Sequence, residues 1–149
     1  MDSKKYEIVL RTLIVILALL LPRQLSPADI TLSDADSAAC IEQLEIPTYT
    51  VFSRSARLTG TAEALLYLDH SGRPGKVVVS GVPQLLQKEV ADKMVDSRFL
   101  AECGGKTIRI IFVYELVGEE KYGIGTGRIS FAPPNRFIIR NNPPMVMVD

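Results

Sequence analysis

Three groups of residues in this 149-residue chain have types that could do chemistry. Asp69, His70 and Ser71 are the acid, base and nucleophile of a hydrolase triad, but they stand side by side in a run of turn formers ending at Gly75. A triad needs residues converging from separated positions, with the acid orienting the imidazole. Three adjacent residues read instead as a solvated hairpin tip. His70 is the sole histidine, so any imidazole base would have to be this one. Gly123-x-Gly125-x-Gly127 looks like part of a phosphate loop, yet it follows a strand and opens no helix. Arg109, Arg128, Arg136 and Arg140 fall on strand-like segments without the aromatic interleaving of a nucleic-acid surface. The formal net charge is zero, which brings no basic steering field. No catalytic residue, no cofactor and no nucleic-acid partner is expected.

Cys40 and Cys103 are the only cysteines, and neither a CxxC pair nor Cys/His spacing accompanies them, so no metal site is expected. What they do depends on the compartment, which the first residues address. Lys4, Lys5 and Arg11 precede an almost wholly apolar run, Thr12 to Leu21, that stops at Pro22-Arg23. Ten helical residues rise about 15 Å, roughly half a bilayer core. Ser26-Pro27-Ala28 then places small residues where a signal peptidase reads. Residues 1–28 are therefore expected to be a signal peptide cleaved after Ala28, with a short retained membrane anchor as the alternative. In an oxidising compartment Cys40 and Cys103 are expected to pair, adding about 4 kcal/mol in the loop-entropy picture. Two buried free thiols are the other reading.

The elements that must position these groups follow from periodicity. Hydrophobic residues make up 47% of the chain and charged ones 23%, a globular balance with room for one domain. Residues 29–46, rich in Asp, Ser, Ala and Thr, read as a loose entry segment before a domain at 47–149. A short helix is expected at 50–57. From Thr61 the period is two, with Ala62, Ala64, Leu66 and Leu68 on one face, and Lys76 to Ser80 makes the second strand of a hairpin. Pro83 suits the first position of a helix. Its apolar half holds Leu86, Val90, Ala91, Met94 and Val95, and its solvated half Lys88, Glu89, Asp92, Lys93 and Asp96. Lys106 to Val117 alternates strongly: Ile108, Ile110, Phe112, Tyr114 and Leu116 against Thr107, Arg109, Ile111, Val113 and Glu115. Residues 118–127, with four glycines, read as a flexible connection. Residues 128–140 read as one further strand interrupted by Pro133-Pro134, and pair antiparallel with 106–117. The crossover helix makes 106–117 parallel to 76–80, with 61–69 in the centre. The expected fold is α+β: an antiparallel-rich, three- to four-stranded sheet with one face covered by a helix.

The same residues resemble a known family. Pro47-x-Tyr49 with Arg54-x-Ala56-Arg57-Leu58-x-Gly60, then Asp69-x-x-Gly72 with Val77-x-Val79-x-Gly81, then Leu85-Leu86, Ala91 and Arg98-Phe99, are similar in order and spacing to TonB C-terminal domains. The similarity runs from about Pro47 to Val117. The resemblance implies a periplasmic protein that grips an outer-membrane receptor's extended segment by adding it as a strand, in energy-dependent transport. It implies that Arg109, Ile111, Val113 and Glu115, along the 106–117 strand, face that partner. Thr50 and Ser97 stand where the family usually has proline and often has tryptophan. No proline-rich linker lies between Ala28 and Pro47. A freestanding periplasmic module that holds a peptide or protein, without energy coupling, is the alternative, and a retained anchor would place the domain on the inner membrane.

Overall fold

The computed structural model describes residues 30–145. In chain order these form α1 (Asp34–Ala39), β1 (Ile41–Gln43), α2 (Val51–Ser55), β2 (Gly60–Leu68), β3 (Pro74–Ser80), α3 (Gln84–Met94), β4 (Arg98–Phe99), a 3-10 turn (Ala101–Cys103), β5 (Thr107–Leu116), β6 (Arg128–Ala132) and β7 (Arg136–Asn141). The proposed signal segment and its cleavage point lie outside the described residues. Among the described residues no helix is long and apolar enough to cross a membrane.

The fold is α+β: a five-stranded mixed sheet in the order β3-β2-β5-β7-β6, with β1 and β4 as a separate two-stranded ribbon. β2 lies between β3 and β5 and runs antiparallel to both, as the hairpin and crossover require. Two expectations are corrected. The sheet has five strands, not three or four, because residues 128–141 form a hairpin of two strands rather than one interrupted strand. The inner of the two, β7, is parallel to β5, while β6 turns back antiparallel on the outside. Pro133-Pro134-Asn135 is the turn between them, so the prolines reverse the chain instead of merely interrupting it.

Alternation fixes which face is buried. Ala62, Ala64, Leu66 and Leu68 of β2, and Ile108, Ile110, Phe112 and Tyr114 of β5, enter the core. Size is matched across the pair, with Ala62 opposite Phe112 and Ala64 opposite Ile110. Leu86, Val90 and Met94 of α3 close this face. Pro83 is the N-cap, so the helix starts one residue later than expected, at Gln84, and Val95 lies past the helix end and is exposed. Lys88 meets Asp92 on the solvent side. Glu89, expected beside Lys93 in solvent, turns the other way: its Oε1 accepts from Thr50 Oγ1 at 2.5 Å and Ser53 Oγ at 2.6 Å. Thr50 also caps α2, so this one residue joins α2 to α3. Ser97 is buried and its Oγ accepts from Glu45 N at 3.0 Å.

The entry segment is not loose. Ser33 caps α1, β1 pairs with β4, and Cys40 is disulfide-bonded to Cys103, with Cα atoms 6.0 Å apart. At the hairpin tip, Gly72 sits at φ +81°, and a Cβ there would come within 2.2 Å of Phe99 O. The Asp69-x-x-Gly72 pattern thus serves a turn that packs directly on β4.

Candidate functional site

Strand addition needs unpaired main-chain groups along a sheet edge. The edge of β5 named by the resemblance has none to offer along most of its length. At its start, Thr107 N donates to Ile30 O at 3.0 Å, and Leu32 N to Thr107 O at 2.9 Å. Arg109 N donates to Ser37 Oγ of α1, and Asn135 Nδ2 to Arg109 O at 2.9 Å. Ile111 N then donates to Asn135 O, β7 continues the ladder, and Val117 N closes it on Asn141 O at 2.8 Å. Arg109, Ile111, Val113 and Glu115 do share one half-buried face, as alternation implies. Arg109 is bound there to Asp34 at 2.7 Å and to Glu63 at 3.5 Å, and its pKa is raised, chiefly by the hydrogen bond to Asp34. Glu115 accepts from Arg140 at 2.7 Å. Arg109 and Glu115 tie neighbouring segments together across this face, and β5 is already paired with β2 on one side and β7 on the other.

Among the described residues the two open edges of the sheet are β3 and β6. Along β3 the edge is bordered by α3, leaving a groove of about 670 Å³ whose walls include Val77, Val79, Leu85 and Ala91, with Gln84 and Lys88 on the rim. Val79 and Ala91, the latter expected on the apolar half of α3, are only partly buried, and both line the groove.

The residues that could have done chemistry have other work. Asp69 Oδ1 accepts from Ser71 N at 2.8 Å, Ser71 Oγ at 2.7 Å and Arg73 N at 3.0 Å. Those bonds, the hydroxyl's first, hold its pKa below the usual carboxylate range. The carboxylate therefore shapes the turn and does not orient His70.

The glycine loop is not a flexible connection. Arg54, 1% exposed, donates through Nε to Asn142 O at 2.8 Å, through Nη2 to Lys121 O at 3.0 Å, and through Nη1 to Gly123 O. Gly125, at φ +70°, passes so close that a Cβ would meet Asn141 Oδ1 at 2.3 Å and the guanidinium at 3.1 Å. A phosphate loop turns N–H groups inward. This one turns carbonyls inward and holds a cation of its own chain.

Sequence reasoning missed Arg54 as a buried anchor, although the five-residue α2 that carries it was legible. Beside it, Tyr49 packs edge-on against Tyr114 with ring centroids 5.2 Å apart. Burial pushes the Tyr49 phenol up to about 12 and raises Tyr114 too, with Glu89 adding to both. Glu89 Oε2 and Tyr114 Oη are buried without a partner among the described residues. Among those residues no cluster of His, Cys, Asp or Glu could hold a metal.

Among the described residues these features define a small disulfide-bonded α+β domain with two open sheet edges, one beside a helix. No family model, curated protein or solved structure matches the chain.

Proposed function

We propose that this chain is a non-catalytic binding module of the periplasm that holds an extended segment of a protein partner as an added strand on β3. The observation that carries the reading is the edge of β3, unpaired among the described residues, running beside α3 across an apolar groove. Main-chain groups of the edge would supply affinity, and the Val77, Val79 and Leu85 walls would select alternate side chains. The Cys40–Cys103 bridge supports an oxidising compartment. The TonB resemblance supports the same act on a different strand. Because β5 already carries β7, the freestanding module is favoured over the energy transducer.

Peptides selected from a random display library against the full chain test this. Binders should lose at least tenfold in affinity when alternate amides are N-methylated, and again with Leu85→Glu. They should slow amide exchange in β3. Binders indifferent to N-methylation, or protecting only other elements, would overturn the reading.

A further inference from the structure

At the opposite side of the sheet, β6 is a five-residue edge strand without proline, and its one charge, Arg128, is at its first position. Its two faces differ. On the core side, Ile129 and Phe131 are 55% and 52% exposed. Phe131 lies 5.0 Å from Phe137, which stacks on buried Phe112 at 5.8 Å, so this strip is the core carried out to the edge. On the other side, Arg128 stands directly opposite Arg140 of β7. Like charges directly opposed across strands are destabilising. One carboxylate, Glu115, serves the pair, and it is bound to Arg140 at 2.7 Å. Arg128 and the exposed Arg136 have no ion pair among the described residues. Arg136 is opposite Ala132, whose side chain is a single methyl.

We propose that β6 is a second docking strand, on the edge opposite β3, for an extended segment that alternates acidic and apolar residues. A strand added to β6 sets one residue beside Arg128 and, four positions along, another beside Ala132. Glutamate at the first relieves the Arg128–Arg140 opposition. Glutamate at the second reaches over the Ala132 methyl to Arg136. Two apolar residues between them fall on the other face, against Ile129 and Phe131. The recognised pattern is Glu-apolar-any-apolar-Glu. A second copy of this chain does not fit it: a two-fold axis at Ser130 would set Ala132 opposite Arg128 and leave both arginines without an anion.

The full 149-residue chain, titrated with the capped peptide Gly-Thr-Glu-Val-Thr-Val-Glu-Thr-Gly and with its Lys-for-Glu counterpart, tests the assignment. The Glu peptide should shift the amides of 128–132 and bind at least tenfold more tightly than the Lys peptide. R128E, at an exposed position, should narrow or reverse that preference, and R128A should abolish about half of it on a logarithmic scale. Equal affinities, absence of binding, or shifts on β3 alone would overturn the proposal. So would a dimer, seen by sedimentation, that blocks the peptide. Loss of β3 binding through Leu85→Glu should leave binding at β6 unchanged, which separates the two sites.

Discussion

Arg54 Nε donates to Asn142 O at 2.8 Å, joining the first turns of the domain to a residue 88 positions later. Its planar guanidinium serves three carbonyls at once, and all three lie in the segment that follows β5. Arg54→Ala would leave the buried Asn142 carbonyl without a donor, at about 1–3 kcal/mol, and would remove two further bonds to part-buried carbonyls. We expect a loss of about 3 kcal/mol or more in urea unfolding, with faster amide exchange across 121–127. Arg54→Lys should recover only part of this, since an ammonium cannot match the fork geometry.

The disulfide ties the entry segment to the turn before β5. Thiol labelling of unfolded, unreduced protein should find no free cysteine. Cys103→Ala should lower the melting temperature, with a loss of about 4 kcal/mol if the 63-residue separation acts through the unfolded chain. Two labels would refute the bridge.

Phe112→Ala should cost about 3–5 kcal/mol, as for a large aromatic removed from a packed core. The ring is fully buried between Ala62 and Phe137. His70→Ala, at the exposed tip, should stay within about 0.5 kcal/mol. Denaturant midpoints check both, and an activity abolished by His70→Ala with the fold intact would contradict the non-catalytic reading of the tip.

Alkaline titration tests the tyrosine pair. Burial raises the Tyr49 pKa from 10.0 to about 12, so the folded state favours the neutral phenol. That stabilisation is full below pH 10 and is lost as pH rises from there through about 12. Tyr114, raised by burial, Glu89 and Tyr49, acts in the same sense. Denaturant midpoints should therefore fall above pH 10, and less steeply in Tyr114→Phe.

Much of the fold could be read from alternation. The faces of β2 and β5 and the buried stripe of α3 are local patterns, and each side chain points where its period dictates. The five-strand count and the direction of β7 are not local. Residues 128–132 and 136–141 look alike as strand formers, and only the reversal at Pro133–Asn135 decides which of them meets β5. Arg54 was hidden for a related reason. A single arginine on a five-residue helix reads as solvated until the tail that buries it is in place. The edge proposed for binding differs from the one the resemblance implies, since an extra hairpin on β5 leaves β3 and β6 as the outer strands of the sheet.

The closure of β5 also has a consequence for the order of events in folding. Its edge is covered from both directions, by Ile30–Leu32 and α1 at one end and by Asn135 and β7 along the rest. β2, β3 and β5 all lie within residues 60–116, whereas the hairpin that covers their flank lies at 128–141. An uncovered edge strand is a template for other chains. In a chain made from its N-terminus, β5 is complete before residues 136–141, which cover its edge, have been added.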